Sequence, residues 1–207
     1  MDNRNLYSYL TQYGTQFPLH LEMQSQMFID WTEANFTYKQ YNPRKKINRL
    51  GLSLTSLDGG VSGIPDLDSI PEYNKENNTQ LRETDFSVKT PVFTAELQHK
   101  MAGFEPYIFR SHILKLNPGG FFPPHRDQIT ELNSFRIIIP LKNSVINGVY
   151  FLSENRILSW EEGRFYFLDT VKSHCLFNAS SKSCYWLVFN IGLNQKTFDE
   201  IINLIYQ

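Results

Sequence analysis

The stretch Leu116-Asn117-Pro118-Gly119-Gly120-Phe121-Phe122-Pro123-Pro124-His125-Arg126-Asp127 decides how the chain reads. Asn-Pro-Gly-Gly is turn chemistry. It separates an apolar and aromatic run, Tyr107–Leu116, from a second one, Phe121–Asp127. Side chains alternate along an extended strand, so His125 and Asp127 are expected on one face. A distant His174, at the start of another strand-like run, can then close a 2-His-1-carboxylate triad, which holds a divalent metal on one side and leaves positions open on the other. The bland alternative is a chance His-x-Asp with a solvated Asp.

Working outward, the second half of the chain reads as short strands. Phe135–Leu141, Val149–Leu152, Arg156–Trp160, Arg164–Leu168, His174–Asn178 and Tyr185–Ile191 are β-branched or aromatic, with turn residues between most of them. About eight short strands in roughly 85 residues predict a mainly β fold, a double-stranded β-helix of the jelly-roll, cupin-like kind. Thr197 is expected to cap a short C-terminal helix carrying Phe198, Ile201, Ile202 and Ile205. Residues 107–207 form this core, and residues 1–106 read as an N-terminal helical and loop elaboration that packs on it and shapes the pocket, within one structural domain. In that elaboration a helix is expected around Leu21–Lys39, with Met27, Phe28 and Trp31 on one stripe. A strand is expected through Leu50, Leu52 and Leu54, and residues 58–82 read as loop. Thr90-Pro91 opens a helix that runs towards Gly103, with Phe93, Leu97 and Met101 on its buried stripe.

Bulk composition narrows the function classes. The 207 residues carry 20 Lys and Arg against 21 Asp and Glu, and no basic run, so no nucleic-acid footprint is evident. No apolar stretch approaches membrane-spanning length, and the start lacks the apolar core of a signal peptide. Cys175 and Cys184 are too few for a disulfide framework. A soluble, cytoplasmic protein is expected, with no nucleic-acid or membrane partner. The His-Arg-Asp triplet also occurs in protein-kinase catalytic loops. Here Leu132 stands where such loops need Asn, and the Gly-rich phosphate loop and Asp-Phe-Gly are missing.

Taken together, Leu116–Asp127, Arg136-Ile137-Ile138-Ile139-Pro140-Leu141, Gly163, and His174 with Asn178 and Ser180 resemble the aspartyl/asparaginyl β-hydroxylase-like branch of the Fe(II)/2-oxoglutarate oxygenases, which includes free-proline hydroxylases. The resemblance spans roughly residues 107–191. It implies a dioxygenase that hydroxylates a C–H bond of an amino acid or peptide side chain, consuming dioxygen and 2-oxoglutarate. It also implies that His125, Asp127 and His174 ligate Fe(II), and that Arg136 binds the cosubstrate through its guanidinium fork.

Two positions depart from the family pattern. Cys184 stands where the family carries the Arg that grips the far carboxylate of 2-oxoglutarate, and Ile138 replaces a frequent His. Lys182 and Lys115 are candidate replacement cations, and Asn178 is a candidate hydrogen-bonding residue near the site. Each also has an ordinary reading, as a surface lysine or a turn residue. Three functional readings stay open: a 2-oxoglutarate-dependent hydroxylase, a non-haem metal enzyme of the same fold that does not use 2-oxoglutarate, and a non-catalytic metal-binding β-domain. His20, His99 and His112 show no ligand spacing and read as structural or solvated.

Overall fold

The computed structural model describes residues 2–127 and 133–206. Its elements run α1 (Asn3–Thr11), β1 (Gln16–Glu22), α2 (Ser25–Asn35), β2 (Lys39–Gln40), β3 (Arg49–Ser53), β4 (Thr55–Ser56), α3 (Ile70–Asn77), β5 (Val88–Lys89) and α4 (Pro91–Glu96). They continue with β6 (Ile108–Leu116), β7 (Phe121–His125), β8 (Ser134–Pro140), β9 (Val149–Ser153), β10 (Arg156–Ile157), β11 (Arg164–Leu168), β12 (His174–Asn178), β13 (Cys184–Gly192) and α5 (Gln195–Tyr206). From β6 onward, successive long strands fall alternately in two antiparallel sheets. The larger has the order β1-β11-β8-β13-β6-β3-β2 and the smaller β10-β9-β12-β7. This is the double-stranded β-helix, as expected.

The parity of the strand residues explains the layering. Strand β13 is central and buried on both faces, so it is apolar at nearly every position. Its odd residues Tyr185, Leu187, Phe189 and Ile191 join a core shared with the helices. Its even residues Cys184, Trp186 and Val188 point the other way, into the space between the two sheets. Neighbouring strands divide in the same manner. Phe135, Ile137 and Ile139 face the helices, and Ile138, Leu114 and Leu116 face the smaller sheet.

Helices α1, α2, α4 and α5 pack on one face of the larger sheet. In α5, Thr197, Ile201 and Leu204 are buried, with Phe198, Ile202 and Ile205 partly so. The cap is Asn194 rather than Thr197. Asn194 Oδ1 accepts the N–H groups of Lys196 and Thr197, and Thr197 Oγ1 in turn accepts the Asn194 N–H at 3.0 Å. This reciprocal arrangement satisfies orphan donors of the first turn.

Several local expectations are corrected. The helix expected over Leu21–Lys39 is α2 alone, because residues up to Glu22 extend β1 along β11 in the larger sheet. Met27 lies on its exposed face. Residues 58–82 are not all loop: α3 starts with Pro71 in its first turn and ends on Asn78 in the left-handed conformation, both ordinary helix boundaries. The helix after Thr90 stops at Glu96; Thr90 stands at its N-cap position, but its side chain makes no capping bond. Its buried hydroxyl donates to the Ser53 carbonyl at 2.9 Å and ties α4 to the end of β3. Strand pairing after Arg156 ends at Ile157, after which Trp160 turns against Phe151 and Trp186. Strand β7 ends at His125, so Asp127 lies just past it. Helix α1, capped by Asp2, has no counterpart in the expectations.

Phe167 sits at the centre of the helix-side core, fully buried and stacked on Phe17 at 4.7 Å between ring centroids. Phe167→Ala is therefore expected to lower unfolding stability by about 3–5 kcal/mol, read from denaturant midpoints. A loss below about 1 kcal/mol would contradict this packing.

Candidate metal centre

The Asn-Pro-Gly-Gly turn seats the site. Gly119 N–H donates to the Asn178 carbonyl at 2.8 Å, and Asn178 N–H donates to Gly120 at 2.9 Å. A Cβ on Gly120 would lie 2.2 Å from the Asn48 carbonyl oxygen, so only glycine lets the turn close here. These bonds set one end of the pairing between β7 and β12. At the other end, His125 lies directly opposite His174. Directly opposed residues of antiparallel strands share a face, and the two rings are 4.3 Å apart.

Asp127 completes the group from beyond the strand end, its backbone held by the N–H bond to Thr170 at 3.0 Å. One ligand atom from each of His125, Asp127 and His174 lies within 4.8 Å of the others. The outer nitrogen of each ring is occupied. Nδ1 of His125 lies 2.8 Å from the Pro123 carbonyl, and Nδ1 of His174 lies 3.0 Å from that of Lys172. A carbonyl can only accept, so each Nδ1 carries the proton and each Nε2 presents its lone pair inward. Burial holds the His174 pKa below the usual imidazole range, which keeps it neutral and able to ligate.

Arg136 on β8 reaches the same point. Its Nη1 lies 2.7 Å from Asp127 Oδ2, and its Nε donates to Asn190 Oδ1 at 2.8 Å. The contact with Asp127 is an ion pair without hydrogen-bond alignment, so Oδ2 remains buried with no hydrogen-bond donor. A cation would satisfy that oxygen. Two imidazole nitrogens and a carboxylate suit Fe(II), Mn(II) or Zn(II), so the residues present fit a divalent metal.

The triad lines an inner cavity, and Asp127 alone of the three also borders an outer depression. Between the sheets lies a cavity of about 120 Å³, walled by Tyr41, Phe122, Leu114, Ile138, Phe151, Leu176 and Val188, with His112 at its side. On the outer side a depression of about 500 Å³ is bounded by Asp127, Arg136, Asn190 and Ser134 and by Ile70, Pro71 and Asn74 of α3. A third depression of about 630 Å³, around Tyr107 and Asn133, does not include the triad.

The remaining candidates do not gather here. Lys115 lies on the opposite face of the larger sheet, where it pairs with Glu33 at 2.7 Å over the rings of Tyr38 and Tyr185. Lys182 is an exposed turn residue. Asn178 is buried, but its side chain donates to the carbonyls of Leu116 and Lys182 and accepts from Ser180, so it holds the turn together. Cys184 is fully buried, and burial pushes its thiol up to about 12. Conversely, His112 belongs to the cavity. It is buried, its Nδ1 has no hydrogen-bond partner, and burial pushes its pKa down to about 3. Its even parity on β6, shared with the inward-facing Leu114 and Leu116, is the signal that could have found it.

Comparisons with known proteins bear on the fold and on the family. An oxidoreductase of the 2OG-Fe(II) oxygenase family from Burkholderia pseudomallei is similar over 93% of this chain and 90% of its own, at 14% identity and a TM-score of 0.50. A predicted oxalate decarboxylase from Thermotoga maritima matches 46% of this chain and 74% of its own, at 19% identity and a TM-score of 0.33. An RmlC-like cupin protein from Desulfovibrio desulfuricans matches 41% and 72%, at 12% identity and a TM-score of 0.31. No curated protein matches the chain. The family model for aspartyl/asparaginyl beta-hydroxylase matches residues 20–192. That match takes in most of the chain, including both histidines, the aspartate and Arg136, and the chain therefore belongs to the aspartyl/asparaginyl β-hydroxylase family.

Proposed function

We propose that the protein is an Fe(II)- and 2-oxoglutarate-dependent dioxygenase that hydroxylates a C–H bond of an amino acid or a peptide side chain. The observation that carries this reading is the triad itself: two histidines with their Nδ1 protons committed to carbonyls, one aspartate, and an arginine at the rim. Fe(II) bound there would supply dioxygen activation coupled to decarboxylation of the oxo acid. His125, Asp127 and His174 would hold the metal on one side.

The chain's own residues would do the rest. Arg136, steadied by Asn190, offers a fork of donors to a carboxylate next to the metal. The apolar walls, with Ile138, Phe151 and Val188 buried, keep water from the inner cavity. The outer depression beside α3 gives a substrate amino acid or side chain access to the open side of the triad. Its lining mixes Arg82, Glu83 and Asn74 with Ile70 and Pro71, which suits a polar, amino-acid-like ligand.

The buried Cys184 favours a second reading, a metal enzyme of this fold without 2-oxoglutarate. One titration separates the two. Fe(II) followed by 2-oxoglutarate, both anaerobic, is expected to give the visible absorption band of an Fe(II)–oxo-acid chelate. Metal uptake with no band would establish the second reading instead. Asp127→Ala and His174→Ala are expected to lose metal uptake while keeping the far-ultraviolet dichroism of the parent. Arg136→Leu is expected to keep metal uptake, since Asp127 is then released from its ion pair, and to weaken 2-oxoglutarate binding by about ten- to hundredfold. Unchanged affinity in Arg136→Leu would remove Arg136 from the cosubstrate site.

A further inference from the structure

The turn between β11 and β12 holds two of the three triad residues. The Thr170 carbonyl accepts the Asp127 N–H at 3.0 Å, and the Lys172 carbonyl lies 3.0 Å from His174 Nδ1. Asp127 stands beyond the end of β7, outside its ladder, so Thr170 is the anchor of its backbone. What aims the Thr170 carbonyl is the preceding residue. Asp169 Oδ1 accepts the N–H of Val171, two residues on, at 3.2 Å. That N–H belongs to the same planar peptide as the Thr170 carbonyl, so fixing one end directs the other towards Asp127.

Asp169 is in turn held by the N-terminal segment. It is 4% exposed, and a buried carboxylate is costly unless donors satisfy it. The second donor to Oδ1 is the Tyr7 hydroxyl of α1, 162 residues away in the chain and 2.9 Å away in space. Burial, and after it the Asp169 charge, push the Tyr7 phenol above its ordinary range, so it keeps its proton and donates. The Tyr7 ring packs against Phe167. That packing needs only a ring; the hydroxyl serves the turn. Thr15, just before β1, adds two contacts. Its carbonyl accepts the Asp169 N–H at 2.8 Å, and its Oγ1 accepts from Lys172 Nζ at 3.0 Å.

We propose that Tyr7, acting through Asp169, is a positioning residue for the metal centre: its hydroxyl fixes the β11–β12 turn, which presents Asp127 and His174 to the ion. The inference rests on reading the triad as a metal site. Helix α1 is then scaffold for the centre as well as part of the helix-side core.

The test is calorimetric titration of the full chain with Mn(II), which needs no turnover. Tyr7→Phe leaves the ring and removes only the hydroxyl. It is expected to weaken Mn(II) binding by about tenfold. Tyr185→Phe is the control: it deletes another buried hydroxyl, one that donates to Glu33 of α2. Its Mn(II) affinity is expected to match the parent's. Adding Tyr7→Phe to Asp169→Ala is expected to cost nothing beyond Asp169→Ala alone, since both changes remove one bond. If Tyr7→Phe binds Mn(II) as the parent does, the inference fails. It fails equally if Tyr185→Phe loses as much, because the effect is then one of general stability, or if the two changes add in full. If the parent takes up no Mn(II), the metal reading itself falls and takes the inference with it. Should Asp169→Ala not fold, Asp169→Asn replaces it. Asn keeps the acceptor, so Tyr7→Phe is then expected to weaken Mn(II) binding in that background as it does in the parent; no loss there would overturn the inference.

Discussion

The antiparallel pairing of β7 with β12 is the constraint on which the site depends. It places His125 opposite His174 and so brings the two imidazoles together. Side chains alternate faces, so a slip of one residue would turn one of the histidines to solvent. The register is guarded at the far end by the Gly119–Asn178–Gly120 exchange and by the lack of room at Gly120. The turn residues that look like mere punctuation therefore align the metal ligands. The same turn contacts Asn48, so one loop ties the metal-ligand strands to the start of β3.

Much of this was legible in the sequence, for physical reasons. Strands buried on one or both faces advertise themselves through aromatic and β-branched runs, and the triad was visible because two of its members are two residues apart. The double-stranded β-helix follows from those runs. Other elements were less legible. Nothing local in Gln16–Glu22 says that it will pair with β11, a partner some 150 residues away in the chain. The polar helix α3 has too few apolar residues to show a stripe; only Ile70 is buried. Thr90 has the chemistry of a cap but spends its hydroxyl on β3, a tertiary choice that sequence spacing does not reveal.

The missing cation shows the limit most clearly. Searching near Cys184 along the chain points to Lys182, and searching the preceding strand points to Lys115. Neither side chain is in the cavity, because one sits in an exposed turn and the other projects from the wrong face of the sheet. Proximity in a sheet is measured across strands. His112 has no ligand spacing and is no member of the triad, but strand parity directs it inward to the cavity's side.

Asp127 has two claimants. Its Oδ2 faces Arg136 at 2.7 Å and His174 Nε2 at 4.0 Å, so the guanidinium holds the carboxylate that would also ligate a metal. An ion held by this carboxylate would compete with Arg136 for it and would make the arginine's charge available to an acidic guest. By thermodynamic reciprocity, a guest that captures Arg136 strengthens the carboxylate's grip on the ion. On the proposed function, the centre would have an interlock in which filling either half prepares the other.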